Sequence, residues 1–209
     1  MFFKDLLERF NITNIQLLEA LKEGLFSSFS SKFSLTAFYK NYKDKFPFSK
    51  DSLFSYYKYF QESMLIFETR VFAGSVYKRL RNLPKIYLVD TGLARRVKTV
   101  DYGRLLENAV FLELRRGEYE IHHFEENGGC DFIAKREDSI KAIQVTWELG
   151  ENNREREIQG LIQSCKSLGV KEGLTITYDQ DEIFDQDNIK IEILPFWKWV
   201  SRRDAMTMG

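Results

Sequence analysis

Apolar residues recur at helical spacing through the first quarter of the chain, and alternation takes over later. Phe2, Phe3, Leu6, Leu7 and Phe10 would line one side of a short amphipathic helix over residues 2–10. Ile15, Leu18, Leu21 and Leu25 predict a second helix, with Asn14 placed to cap it and the serines at 27–31 to end it. Ser34 opens a third through Ala37, Phe38 and Tyr42, stopped near Phe46-Pro47 because the residue before proline disfavours helical backbone. Ser49 or Asp51 can cap a fourth, carrying Leu53, Tyr56, Tyr57 and Phe60. Residues 64–72 then read as a strand, and 85–89 as its partner across a basic loop. Asp90 or Thr91 can cap a short helix to about Val97.

The second half has its own order. A helix is expected over 103–116 and a strand over 119–124. Residues 130–149 read as two strands joined by a charged turn, Lys135 to Lys141. In its second strand Ile143, Val145 and Trp147 alternate with Gln144 and Thr146, so the two polar residues share a face. A helix follows over 153–168, with Ile158, Leu161, Ile162, Cys165 and Leu168 on one side and Arg154, Glu155, Arg156 and Glu157 on the solvated side. Strands at 174–178 and 190–194 complete the pattern, and Pro195 breaks the last before an aromatic segment at 196–200. Alternating helices and strands define an α/β chain, α+β overall. It divides at 98/99 into an N-terminal domain, 1–98, and a C-terminal domain, 99–209, with no glycine- or proline-rich linker between them.

In the N-terminal domain, two short helices with a tight break followed by a hairpin is the winged helix-turn-helix order. The helix at 50–62 would face the major groove, and the loop at 75–84 would be the wing. Tyr56, Tyr57, Tyr59 and Phe60 fit packing better than base contact. Lys50 and Lys58 are the only cations on that helix, few for a sequence-specific reader.

Composition narrows the class. The chain has 209 residues, 44% of them hydrophobic and 15% aromatic, which describes a folded protein. No apolar run approaches the length of a membrane span, and the first ten residues are too charged for a signal peptide. Two cysteines, Cys130 and Cys165, make neither a disulfide framework nor a zinc site, so a reduced, cytoplasmic protein is expected. The net charge of +0 hides an uneven distribution. Arg70, Lys78, Arg79, Arg81, Lys85, Arg95, Arg96 and Lys98 form a basic run that contains one acid, Asp90. Residues 179–187 hold five acids. A local anionic partner, DNA before others, would use Arg70, Lys78, Arg79, Arg81 and Lys85; a solvated basic surface explains the same run equally well.

Candidate chemistry centres on three residues. Glu107 shares a helix face with Val110, Phe111 and Leu114, where a carboxylate is costly unless paired, for example with Arg104, or bound to metal. Asp131 could supply a second carboxylate and Gln144 a neutral oxygen for a divalent ion. Thr146 cannot act as the cation that usually assists such a site. Lys135 and Lys141 are substitutes only if the fold returns one of them. His122 and His123, adjacent on a strand, point to opposite faces and cannot chelate together. Gly128-Gly129 is a tight turn, and the chain has neither a Walker A motif nor a nucleophile elbow.

The run Lys85-Ile86-Tyr87-Leu88-Val89-Asp90-Thr91-Gly92-Leu93, with Gly103-Arg104-Leu105-Leu106-Glu107-Asn108, CDFIAK and AIQVTWEL, resembles the C-terminal half of a family of prokaryotic AAA-type ATPases. The resemblance covers nearly the whole chain. It implies a winged helix followed by a restriction-endonuclease-like α-β-β-β-α-β core of the PD-(D/E)xK type. On that pattern Glu107, Asp131 and Gln144 fall at the acidic, metal-binding positions and Thr146 at the lysine. The family's ATPase domain has no counterpart in these residues. The expected function is an accessory, nucleic-acid-binding module of an AAA-type ATPase with a degenerate nuclease-like site, working with an ATPase domain or subunit. The alternatives are an active Mg²⁺-dependent nuclease and a protein-interaction adaptor suggested by the aromatics at 56–60.

Overall fold

A computed structural model describes residues 7–94 and 101–207, and the fold is α+β. Phe2, Phe3 and Leu6 of the first expected helix lie outside the described residues, as do Arg95, Arg96, Val97 and Lys98. No helix among the described residues is long and apolar enough to cross a membrane. The chain forms two compact units. The first comprises residues 1–68 and 83–100, the second 69–82 and 101–209. The chain therefore passes between units at 68/69, 82/83 and 100/101, and the stretch from Thr69 to Asn82 belongs with the C-terminal residues.

In the first unit, α1 (Ile15–Ser27), α2 (Leu35–Tyr42) and α3 (Lys50–Glu62) each begin at the predicted cap. Asn14, Ser34 and Ser49 accept the N–H of Leu17, Ala37 and Ser52, so each offsets one orphan donor of the first turn. Leu17, Leu18, Leu21 and Leu25 of α1 are buried, and α3 packs against both other helices. Tyr56 and Tyr57 are core residues. The Tyr56 hydroxyl accepts the backbone N–H of Asn14 at 3.0 Å, and the Tyr57 hydroxyl donates to Glu68. β1 (Ser31–Lys32) pairs antiparallel with β3 (Lys85–Leu88), which also neighbours β2 (Ile66–Val71). A one-turn helix, α5 (Thr91–Ala94), follows β3.

The segment expected to be a wing loop contains a helix, α4 (Val76–Arg81), in the second unit. Ser75 caps it, and lysine, arginine and leucine favour helical backbone. Sequence periodicity understates it because none of its residues is buried.

In the second unit the end of β2 is followed across the sheet by β4 (Glu120–Phe124), β5 (Cys130–Arg136), β6 (Ser139–Val145), β7 (Glu172–Thr177), β9 (Ile189–Pro195) and β8 (Glu182–Gln186). The β4–β5 and β5–β6 pairs are antiparallel, β6–β7 and β7–β9 parallel, and β8 closes the edge antiparallel to β9. β8 arises inside the acidic stretch, where its charged residues suit an exposed edge. α6 (Tyr102–Arg116) is capped by Asp101, whose carboxylate accepts the Arg104 N–H at 3.1 Å. α7 (Arg154–Leu168) buries Ile158, Leu161, Ile162 and Cys165 on Ile133, Ala142, Ile191 and Ile193. Residues one step away, such as Ile143 and Leu194, point to the opposite sheet face. That face carries α6 and α8 (Phe196–Thr207), the helix that Pro195 introduces.

Candidate functional site

The β5–β6 hairpin pairs Phe132 with Ile143, which brings Asp131 beside Gln144 at the end of the ladder. The two residues lock the strands together through side chains. The Asp131 backbone N–H donates to Gln144 Oε1 at 3.2 Å, and Asp131 Oδ2 accepts the Val145 N–H at 3.0 Å. Gln144 Nε2 then donates to Glu157 Oε2 on α7. Arg156 donates from Nε to the other oxygen of Glu157 at 3.1 Å.

Glu157 is the residue that sequence reading placed wrongly. Its side chain is only 13% exposed, so it belongs to this cluster and not to the solvated side of α7. The signal was present. Gly160, Leu161 and Ser164, at i+3, i+4 and i+7 from Glu157, are all buried. The arginine beside it holds its guanidinium in water.

Glu107 is buried on α6 with Val110, Phe111 and Leu114, as its helical spacing predicts. Its charge acts on Arg104. Burial lowers the Arg104 pKa, and the carboxylates of Asp101 and Glu107 pull it back up. Among the described residues, no group of three or more His, Cys, Asp or Glu side chains is placed to hold a metal ion. Mg²⁺ demands several oxygen ligands in near-octahedral array. Here Asp131 Oδ2 and Gln144 Oε1 both accept backbone N–H groups, and the Gln144 amide turns its donor towards Glu157. Each of these two oxygens thus already serves the backbone of the hairpin.

Neither lysine substitutes for Thr146. Lys141 lies three residues before Gln144, so it is on the opposite face, with its ammonium 5.7 Å from the Tyr119 ring centre. Lys135 sits across from Glu120 at the far end of β5. Thr146 itself donates to the Glu148 carbonyl at 3.2 Å and accepts from Asn153 at 3.4 Å. Beyond it Trp147 stacks on Tyr178, with ring centres 4.3 Å apart, and leans on Tyr102 at 4.9 Å.

The two histidines point apart. His122 Nε2 meets Glu120 Oε1 at 2.9 Å, and that hydrogen bond is the main cause of the lowered Glu120 pKa. His123 is buried between Thr69 Oγ1 at 3.2 Å and Glu125 Oε1 at 2.9 Å. Both cysteines are free, buried thiols. Burial pushes Cys130 up to about 12 and Cys165 to about 11, so neither is a nucleophile near neutral pH.

The residues expected to bind nucleic acid are divided between the units. Arg70 is half-buried on β2, and Lys78, Arg79 and Arg81 are on α4, all in the second unit; Lys85, half-buried on β3, belongs to the first. Lys78 pairs with Glu126, while Arg79 is half-buried and Arg81 exposed. The outward face of α3 carries Asp51, Phe54, Ser55, Lys58 and Glu62, and Lys58 pairs with Glu62 at 3.4 Å. With the exposed Lys50, that face carries two acids and two bases. Lys50 stands over the Tyr39 ring at 5.3 Å.

Residues 3–103 match a family model described as a domain of unknown function (DUF8612), and residues 102–199 match a second domain of unknown function (DUF4143). The chain is 32% identical over 213 residues to an uncharacterized protein of Methanocaldococcus jannaschii, covering 95% of this chain and 47% of that one. It is 29% identical over 118 residues to an uncharacterized protein of Haemophilus influenzae, covering 54% of this chain and 30% of the relative. The chain thus spans about half or less of the length of these relatives. No solved structure matches.

Proposed function

We propose that this chain is a non-cleaving accessory module that holds nucleic acid beside an AAA-type ATPase, with a winged-helix-like first part and a degenerate nuclease-like second part. The observation that carries it is the Gln144 bridge. An amide stands where a metal ligand would be needed, and its oxygen is committed to the Asp131 N–H. The site serves as a cross-link between β5, β6 and α7. Phosphate contact falls to the cations of α4, since on α3 Lys58 is paired with Glu62 and Lys50 stands over the Tyr39 ring. The ATPase partnership rests on the sequence resemblance and on relatives that extend well beyond the matched segment.

A salt titration with duplex and single-stranded DNA tests the binding. Affinity should be measurable near about 50 mM salt and fall steeply by about 200 mM. Arg79→Gln and Arg81→Gln should each reduce the log–log salt slope by about one. No binding at the lower salt removes the reading. A cleavage assay with Mg²⁺ and Mn²⁺ should yield no product; metal-dependent product that Asp131→Ala abolishes would replace it with the nuclease.

The adaptor reading is favoured by one feature. Val76, Tyr77 and Leu80 of α4 are 59%, 72% and 69% exposed, a large apolar share for so short a helix. Its mark would be partner capture that Leu80→Asp abolishes and Arg79→Gln leaves intact.

A further inference from the structure

A cavity of about 470 Å³ opens in the second unit, on the sheet face away from the Gln144 bridge. Its floor is apolar. Ile143, Leu174 and Leu194 rise from β6, β7 and β9, and Leu114 and Trp199 close the sides from α6 and α8. Ile143, Leu194 and Leu114 are essentially inaccessible and back the cavity from the core, so its open apolar surface belongs to the half-buried Leu174 and Trp199. The volume lies within the range of small-molecule pockets, about 300–1,000 Å³.

The rim carries three cations, Arg136, Lys141 and Arg202, and one carboxylate, Glu192. Arg136 and Lys141 both stand over Tyr119, at 5.9 and 5.7 Å from its ring centre. Arg136 also donates to the Gly117 carbonyl at 3.4 Å. Neither cation has a carboxylate within ion-pair distance among the described residues. The third cation of the rim differs. Arg202 is neutralised by Glu192 at 2.6 Å. The mouth therefore carries two uncompensated positive charges over an apolar chamber.

We infer that this cavity binds an amphipathic monocarboxylate, with its carboxylate between Arg136 and Lys141 and its hydrocarbon body on Leu174 and Trp199. The chemistry selects each half of the ligand. A carboxylate completes the hydrogen bonding of a guanidinium and an ammonium that no protein acid satisfies. An aliphatic body removes apolar surface from water on both sides. A small hydrophilic anion would leave Leu174 and Trp199 wet, and a neutral hydrocarbon would leave the cations unanswered. The inference is independent of the nucleic-acid reading, because it uses neither α4 nor the Gln144 cluster.

The test is a titration of the full chain with octanoate, followed by amide and indole N–H chemical shifts. Octanol and acetate, each holding one half of the ligand chemistry, are the controls. Octanoate should bind at least about tenfold tighter than either, with shifts concentrated at Ile143, Leu174, Leu194 and Trp199. In the double variant Arg136→Gln, Lys141→Gln, octanoate should fall to the affinity of octanol, while octanol binding is unchanged. Both substitutions are at exposed positions. Octanoate binding no tighter than octanol, or unchanged in the double variant, would overturn the inference. So would shifts centred away from the cavity, or a joint loss of octanol binding, since removing charge leaves the floor in place.

Discussion

Gln144 has the one side-chain type that can make both of its contacts. Its oxygen accepts a backbone N–H and its amide donates to a carboxylate. A glutamate of the same size would offer acceptors alone and face Glu157 with like charge. Gln144→Ala should therefore cost about 1–3 kcal/mol, because it leaves the Asp131 N–H and one side of Glu157 without a partner in a half-buried site. Gln144→Glu should also destabilise, despite its matched shape. Urea unfolding of both variants against the parent checks this, and an unchanged midpoint for Gln144→Ala would mean the bridge contributes nothing. The pairing of Asp131 with Gln144 was legible from alternation across a hairpin. The partnership with Glu157 was not, because charged residues in a helix read as solvated until the neighbouring strand is placed.

At the level of elements, the seating of α7 depends on glycine at two positions. Gly129 has φ of 67° and follows a tight turn after β4, where a Cβ would lie 2.2 Å from the Phe124 carbonyl oxygen. Gly160, in the middle of α7, faces that turn, and a Cβ there would lie 2.8 Å from the Gly129 carbonyl oxygen. In an exposed helix, Gly→Ala gains about 1 kcal/mol from propensity. Here Gly160→Ala should instead destabilise by about 1–3 kcal/mol, because backbone stands in the way. A higher denaturation midpoint in Gly160→Ala would show that the helix can shift at no cost. Helix caps were the most legible elements, since Asn14, Ser34 and Ser49 each act on a donor three residues away. α4 and β8 were the least, since neither buries a continuous apolar face.

Across the whole molecule, the two units are interleaved along the chain. The second unit takes in Thr69–Val71, whose end pairs parallel with His122 and His123 of β4, and Thr69 meets the buried His123 ring. A fragment of residues 101–209 lacks that strand. It leaves β4 as a bare edge and uncovers a buried imidazole. That fragment should unfold at lower denaturant than the intact chain, or aggregate, when followed by circular dichroism and size-exclusion chromatography. Equal stability would mean that Thr69–Val71 contributes nothing to the unit. A boundary read from composition falls at a single place, and contacts between distant strands then decide which segments travel together.

Local pattern alone settled the helices at 15–27, 35–42 and 50–62, the β5–β6 hairpin, the burial of Glu107 and the opposed histidines. Each follows from the 3.6- and two-residue periods, which need only a few neighbouring residues. Tertiary structure decided that Glu157 faces inward, that Thr69–Asn82 joins the second unit, and that Arg136 and Lys141 meet over one ring. Those outcomes depend on residues tens of positions apart, whose separation is fixed by packing and carries no trace in local spacing. The two strands around Asp131 and Gln144 could be read in advance; what their polar groups bond to could not.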